Sequence, residues 1–336
     1  MSIMAKQITL TDIAKECGTS NVTVSNALSD KKGVSDELRK KIKETAERLG
    51  YVSSRSDAQK RDNNMVGVLS PAKFMDPNGS FYWSLYNSLV NKLQESDHYC
   101  LISALSEQEE NDLVLPKFIT DEKVGSLISL GQLSERYVDM LKETGIPMIL
   151  LDYYLVDSGV DSVVSNGYLG GYEITTYLIE RGHRDIGFIG TVKSTSSIFD
   201  RYMGYMKAMI EHDLTVRPEW TIDDRNEHTE IDLVFPAALP SAFVCNCDET
   251  AYKAINYFHE RGLSVPDDIS IVGYDNFLIS EISKPTITTI NVDPEFMAEK
   301  AAEALLRRIT DPGCSVRNMT ISGELIVKES VRELAR

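Results

Sequence analysis

The chain has 336 residues, 42% of them apolar, which is ample material for a large buried core. It has no run of 18 apolar residues and no apolar signal core at its N-terminus, so we expect a cytoplasmic protein without a membrane-spanning segment. Its five cysteines are too few for a disulfide framework and are not spaced for zinc, so no metal is expected.

Charge is distributed unevenly along the chain. Residues 1–61 carry 12 Lys and Arg against 8 Asp and Glu, whereas the remaining residues carry 23 against 43. Because salt screens a charge beyond about 10 Å, the local excess of base determines what the first segment can bind. The net charge of −16 therefore does not exclude DNA as a partner of the N-terminal segment.

The first fifty residues predict three short helices. Thr9 and Ser20 are suitable N-caps for two helices that meet at Gly18, and Ser35 caps a third helix that stops before Gly50. Two helices hinged at a glycine form the unit that places its second helix in the DNA major groove. The candidate DNA contacts lie on the outer face of that helix or at the helix caps: Thr9, Ser20, Asn21, Val22, Thr23, Ser25 and Asn26.

The second helix carries side chains that suit base contacts. Asparagine can pair with adenine through two hydrogen bonds and valine can pack on a thymine methyl group, which favours Asn21 and Val22. The third helix should expose its basic residues, Arg39, Lys40, Lys41 and Lys43. A three-helix domain with a merely solvated polar face is the alternative, and the adjacent basic run argues against it.

This segment contains several short motifs at fixed positions relative to one another: Thr9-Leu10-x-Asp12-Ile13-Ala14, Gly18-x-Ser20, Thr23-Val24-Ser25 and Ala46-x-x-Leu49-Gly50-Tyr51. The pattern resembles the headpiece of the LacI/GalR family of bacterial transcription regulators. The resemblance implies that residues 1–51 are a DNA-binding headpiece in which Asn21 and Val22 read bases. Asn26 stands where the family usually has arginine, which implies a different operator preference.

Residues 52–64 depart from that family. Its members have a hinge helix here that ends in a leucine wedged into the minor groove, whereas this segment contains neither leucine nor proline. Lys60, near the usual leucine position, can contact phosphate or a narrow groove but cannot unstack bases comparably. We therefore expect a polar tether and an operator that is bent less than in the relatives.

From Met65 onward, short apolar strands alternate with helices, which predicts a doubly wound parallel α/β body over residues 65–336. The predicted strands are 66–69, 99–102, 126–130, 148–151, 186–189, 242–245 and 270–273. No strand is followed by a glycine-rich phosphate loop, so no nucleotide cofactor is expected. Ligands of such sheets lie beyond the carboxyl ends of strands, where the candidates are Asp152, Asn246, Cys247 and Asp275.

The body also carries family motifs, which include residues 180–190, Arg201-x-x-Gly204-Tyr205-x-x-Ala208 and residues 265–275. The resemblance implies a type I periplasmic-binding-protein-like body with an N-lobe (about 65–161 and 292–319) and a C-lobe (about 162–291 and 320–336). It further implies three crossings between the lobes and an effector in the cleft. The implied contacts are Arg201 and Asp275, opposite an aromatic residue, Phe81 or Tyr82. A guanidinium and a carboxylate suit the hydroxyls of a sugar.

These observations predict a homodimeric repressor that binds a pseudo-palindromic operator and is controlled by a small effector, most simply a sugar. A regulator that answers to a protein corepressor instead of a free small molecule is the alternative. An enzyme is not expected, because no nucleophile, base and orienting group can be placed together. His183 follows Gly182 at a helix end, where interaction with the helix dipole accounts for it.

Overall fold

The computed structural model describes residues 10–28, 34–49, 64–75, 81–226 and 231–335. The chain divides into two compact units, Met1–Asp62 and Asn63–Arg336. The described part of the first unit is helical, and the second is an α/β body.

The first unit packs three helices, α1 (Leu10–Cys17), α2 (Asn21–Leu28) and α3 (Asp36–Arg48), around a small apolar core. Ile13, Val24 and Ile42, one from each helix, have no exposed surface. Ser20 caps α2, because its Oγ accepts a hydrogen bond from the Thr23 amide at 3.2 Å. Gly18, at a φ of 67°, supplies the left-handed turn between α1 and α2.

Arg39 differs from its prediction. It was expected to face outward, but it is half-buried, and its Nη1 donates to the backbone oxygens of Ala27 at 3.2 Å and Asn26 at 3.4 Å. The last carbonyls of a helix have no partner within the helix, and the guanidinium supplies one for the end of α2. Lys40, Lys41 and Lys43 are exposed as predicted.

The N-lobe of the body is built on a six-stranded parallel sheet in the order β11-β5-β4-β3-β1-β2. Its helices cover both faces, with α4 and α12 packed together on one side and α6 and α7 on the other. Its elements are β1 (Met65–Pro71), α4 (Phe81–Gln94), β2 (Tyr99–Leu105), α5 (Glu107–Asn111), α6 (Lys117–Thr120), β3 (Ser126–Leu130), α7 (Glu135–Glu143), β4 (Met148–Leu151), β5 (Asp161–Ser165), α12 (Pro294–Thr310) and β11 (Asn318–Ile321).

The C-lobe is built on a four-stranded parallel sheet in the order β7-β6-β8-β9. Helices α8 and α9 pack together over one face, and α10 covers the other. Its elements are α8 (Gly167–Glu180), β6 (Ile186–Ile189), α9 (Ser196–Glu211), β7 (Thr221–Ile222), β8 (Ala242–Cys245), α10 (Asp248–His259), β9 (Ser270–Val272) and α11 (Leu278–Ile282). The predicted doubly wound parallel sheets are therefore present in both lobes.

The chain passes between the two sheets three times within the described residues. It leaves the N-lobe after β5, returns after β10 (Thr289–Asn291), and passes from β11 into β12 (Glu324–Ile326), which pairs antiparallel with β10. The first crossing was expected near residue 161, but residues 161–165 form strand β5 of the N-lobe sheet. The chain therefore passes to the C-lobe only after Ser165. The antiparallel β10–β12 ribbon therefore lies in the crossing segments themselves.

Among the described residues, no helix is both long enough and apolar enough to cross a membrane. The segment between β7 and β8 contains no helix in its described part, residues 223–226 and 231–241. Trp220 is buried beside it, and its indole nitrogen donates to the backbone oxygen of Ala238 at 2.8 Å. Trp220 therefore anchors this loop.

Candidate functional site

The candidate DNA-reading face lies on α2. Asn21 at its N-terminus is exposed, and Thr23 and Asn26 are half-buried. The hydroxyls of Ser20 and Thr23 lie 2.9 Å apart, so each is already a partner of the other. Other predicted contacts fall outside the described part of the chain, namely Thr9, Lys60 and the side chains of Val22 and Ser25.

The strongest cluster in the body is centred on Arg201, in α9. The side chain is buried, and its Nη2 donates to Asp275 Oδ1 at 3.2 Å while its Nη1 donates to the backbone oxygen of Asn246. The guanidinium also lies over the Tyr274 ring, 3.8 Å from its centroid. The structure thus brings together three residues that the sequence placed at separate points of the chain.

The backbone around Arg201 explains why it can approach this point. Helices α8 and α9 pack so closely that a Cβ on Gly171 would lie 2.3 Å from the backbone oxygen of Arg201. A glycine is therefore required at this crossing, because any side chain there would push α9 outward. Gly204 is needed for the same reason, since its Cβ would lie 2.1 Å from the backbone oxygen of Tyr168.

A second cluster of interacting side chains lies in the N-lobe. The Tyr82 hydroxyl, at the start of α4, donates to Asp152 Oδ2 at 2.9 Å, and Asp152 follows β4 with only 5% of its surface exposed. The Tyr82 ring stacks on Phe74 at 4.7 Å and meets the edge of Phe81 at 5.7 Å. Trp83 makes its aromatic contact with Tyr86 instead and so does not join this group.

The two groups lie close together where the lobes meet, because the charges of Arg201 and Asp275 act on Tyr82 and that of Arg201 acts on Asp152. The lobes are bridged beside them by the Tyr154 hydroxyl, which donates to Asp200 Oδ1 at 3.0 Å, and by the Ser196 amide, which donates to Gln132 Oε1 at 2.7 Å. Burial raises the pKa of Asp152. Burial, opposed by Arg201 and reinforced by the charge of Asp152, raises the pKa of Asp275 to about 7.

A carboxylate that the sequence analysis missed supports the C-lobe side. Asp224 accepts hydrogen bonds from the Thr191 amide at 2.9 Å, Asn246 Nδ2 at 2.7 Å and Thr250 Oγ1 at 3.0 Å, and it is bound by Arg225. Burial alone would raise the pKa of Asp224, but the hydrogen bond and charge of Arg225 outweigh it and lower the pKa to about 2. Asp224 follows a two-residue strand, which left no pattern by which to find it.

Cys247 and Asp248 follow Asn246 in the chain but contact other partners. The Cys247 Sγ lies 3.3 Å from Thr250 Oγ1, and burial raises its pKa to about 12, so it is a neutral thiol at ordinary pH. Asp248 accepts from Thr289 Oγ1 at 2.6 Å and from the Phe277 amide at 2.8 Å. These two bonds hold the turn that carries Asp275, which is a structural role.

The interpretation of His183 as a helix-dipole partner is wrong. The ring is buried, with Nδ1 2.9 Å from Ser241 Oγ and Nε2 3.2 Å from the backbone oxygen of Arg332. Burial lowers its pKa, so the ring is neutral and joins the C-terminal segment to the C-lobe. Among the described residues, no group of three His, Cys, Asp or Glu side chains is arranged to hold a metal ion.

Comparison with known proteins gives matches over nearly the whole chain. A family model described as bacterial regulatory proteins of the lacI family matches residues 9–54, and a periplasmic binding protein-like domain matches residues 175–331. The chain is 31% identical over 335 residues to the HTH-type transcriptional repressor PurR of Actinobacillus pleuropneumoniae serotype 3 (strain JL03), a match that covers 97% of this chain and 99% of that protein.

Two solved structures share the fold. One is a complex of the transcriptional regulator CelR with cellobiose, at a TM-score of 0.68 and 22% identity over 96% of this chain and 100% of the other. The second is the lac repressor dimer bound to operator and the anti-inducer ONPF, at a TM-score of 0.66 and 20% identity over 97% and 100% of the two chains. The predicted fold, a helix-turn-helix headpiece with a periplasmic-binding-protein-like body, is confirmed.

Proposed function

The chain belongs to the LacI family of bacterial regulatory proteins, and on that premise we propose that it is a transcription repressor whose operator affinity depends on a small effector bound between the two lobes. The observation that carries the effector part is the pair of facing polar groups, Tyr82–Asp152 from the N-lobe and Arg201–Asp275 from the C-lobe. Asp152 and Arg201 are buried, and Asp152 and Asp275 follow strands β4 and β9 at the carboxyl ends, where ligands of such sheets bind.

The headpiece is the proposed operator-reading unit. Asn21 is exposed at the N-terminus of α2, the end of a recognition helix that contacts base edges. The lac repressor, which shares this fold, was solved as a dimer on its operator. We propose the same stoichiometry here, because a dimer matches the two half-sites of a pseudo-palindromic operator. Leu278 and Ile282 of α11 expose 63% and 61% of their surface and are available for such an interface.

The proposed effector is a sugar or a similar polyol. Its support is the chemistry of the cleft, where carboxylates and a guanidinium lie near Tyr82, whose ring meets the edge of Phe81. The CelR structure, which shares this fold, contains cellobiose. A protein corepressor is not favoured, because two proteins that share this fold were solved with small molecules, CelR with cellobiose and the lac repressor with ONPF.

The route from effector to operator starts at Asp275. Its amide donates to the backbone oxygen of Ile290 at 2.8 Å, in strand β10, and Asn276 Nδ2 donates to Asn291 Oδ1 at 3.0 Å. Strand β10 leads directly into the N-lobe, so a shift of Asp275 toward a ligand moves a crossing segment. The change in operator affinity can be no larger than the difference in effector affinity between the two lobe arrangements.

All of the linker, residues 52–64, except Asn64 lies outside the described residues, and our proposal for it rests on the sequence. Without a leucine wedge, the protein should bend its operator less than its relatives do. A circular-permutation gel shift measures the bend. A bend of many tens of degrees would contradict the proposal.

Two variants test the division of labour. Asn21→Ala should lose about 1–3 kcal/mol of base discrimination and keep effector binding. Asp275→Ala should lose the response to effector and keep operator binding. Fluorescence anisotropy with operator DNA and calorimetry with effector measure the two activities separately. If each folded variant lost both activities together, the two-module proposal would be wrong.

A further inference from the structure

The cleft contains more buried carboxylate than free cation. Asp152 and Asp275 both face it, with side chains 5% and 12% exposed. Arg201 is their shared cation, and both of its Nη atoms are already hydrogen-bonded, one to Asp275 and the other to the Asn246 carbonyl. A second cation of the C-lobe, Arg225, forms an ion pair with Asp224.

The hydrogen-bonding capacity left over in the cleft is mostly that of acceptors. Asp152 Oδ1, Asn246 Oδ1 and Arg201 Nε are buried and have no hydrogen-bond partner among the described residues. The orientation of the Asn246 amide is fixed, because its Nδ2 donates to Asp224. A buried acceptor without a partner destabilises the protein, so a ligand that brings donors to these two oxygens is bound more tightly.

We propose that the cleft takes an uncharged, hydroxyl-rich effector and rejects the corresponding carboxylic acid, and that Asp152 is the residue that sets this discrimination. The inference rests on the proposed function and specifies the effector class of the same site. A hydroxyl can donate to Asp152 Oδ1 and Asn246 Oδ1 and can accept from Arg201 Nε, whereas an ionised carboxylate can only accept.

Asp152 has the larger effect because, among the described residues, no cation is hydrogen-bonded to it. Its donor is the neutral Tyr82 hydroxyl, on Oδ2, whereas Arg201 is bound directly to Asp275 and acts on Asp152 only at a distance. An acidic effector would add a further negative charge beside Asp152 in a site screened from water, and like charges brought together at an interface weaken binding. Asp152→Asn removes the charge and keeps an oxygen for Tyr82.

The test is a set of matched ligand pairs measured by titration calorimetry at pH 8. The pairs are glucose and glucuronate, galactose and galacturonate, mannose and mannuronate, and cellobiose and cellobionate. For the pair whose neutral member binds, we expect the acid to bind at least about 100-fold more weakly, equivalent to about 2.7 kcal/mol. Asp152→Asn should narrow that ratio by about tenfold or more.

The control is Asp139→Asn, which makes the same change in net charge on the exposed surface of α7, where Asp139 pairs with Lys142. It should leave the ratio unchanged. If Asp152→Asn does not fold, Asp152→Ser serves as the second variant, because it also removes the charge and should narrow the ratio. The comparison in the unaltered protein tests the discrimination itself.

Each other outcome overturns a different statement. An acid that binds as tightly as its neutral partner, or more tightly, overturns the discrimination and leaves a sugar-responsive regulator. A ratio that is the same in Asp152→Asn overturns the role of Asp152. If no neutral sugar and no acid binds, both the discrimination and the proposed sugar effector are wrong.

Discussion

Asp224 supplies the sharpest prediction about the cleft wall. Asp224→Asn keeps the size of the side chain but removes the charge that binds Arg225, and it places an amide where Asn246 Nδ2 and Thr250 Oγ1 both donate. At least one of those donors loses its acceptor, or the Thr191 amide does. The folded protein should therefore be less stable, and Asn246 should no longer be held in one orientation.

The magnitude follows from the pKa of Asp224. Burial would raise this pKa, but Arg225 and the hydrogen bonds lower it from 3.8 to about 2 in the folded protein. A lowered carboxyl pKa stabilises the folded state above the unfolded value and loses that contribution as the pH falls toward 2. The charge should contribute about 2 kcal/mol at pH 7 and about 1 kcal/mol at pH 3.

Urea denaturation at pH 7 and pH 3, on either side of the calculated pI of 4.8, measures the difference between Asp224→Asn and the unaltered chain. The difference should be largest at pH 7 and shrink by about 1 kcal/mol at pH 3. Asp185→Asn, at an exposed carboxylate 3.8 Å from Arg217 in the same lobe, is the matched control and should change little. A difference that is independent of pH would refute the reasoning.

Three further predictions concern the headpiece, the cleft and the buried histidine. Ser20→Ala removes the N-cap of α2 and should cost the headpiece about 1 kcal/mol, visible in its thermal unfolding; an unchanged midpoint would contradict the cap. Affinity for a neutral effector should fall between pH 8 and pH 6, because Asp275, whose pKa burial raises to about 7, takes up a proton and becomes a weaker acceptor; calorimetry that finds no pH dependence would contradict this. The charged or titratable groups that act on it are Arg201, Asp152 and Arg225. His183→Phe should destabilise the body by about 1–3 kcal/mol, because the hydroxyl of Ser241 and the carbonyl of Arg332 lose a partner, without weakening effector binding; urea denaturation and calorimetry test both parts.

The strands that could be predicted were those whose apolar run is uninterrupted. Strands β3 and β4 coincide with the predicted ranges 126–130 and 148–151. Strand β5 was missed because it opens with Asp161, a charge that normally indicates a loop. In the fold Asp161 is buried and bound by Arg307 and Arg308 of α12, residues about 146 positions away in sequence, which no local pattern can indicate.

The residues of the cleft likewise include some that the sequence could predict and some that it could not. Asp152 and Asp275 were found because they follow strands, and Arg201 because of a family motif around it. The role of Asp224 depends on contacts with distant residues of the C-lobe, and the bridge from Tyr154 to Asp200 depends on how the two lobes meet. No spacing in the sequence specifies either. Arg39 was misplaced for a related reason, since its partners are the free carbonyls at the end of another helix.

The central claim is that one chain reads an operator with its headpiece and is controlled through its cleft. The most direct measurement selects duplexes from a random pool with the full-length protein at about 0.1 M salt, then titrates the winning duplex with a cleft ligand. We expect a pseudo-palindrome whose affinity changes over the same ligand concentrations that occupy the cleft. Recovery of only unspecific DNA, or a ligand that fills the cleft and leaves operator affinity unchanged, would contradict the claim.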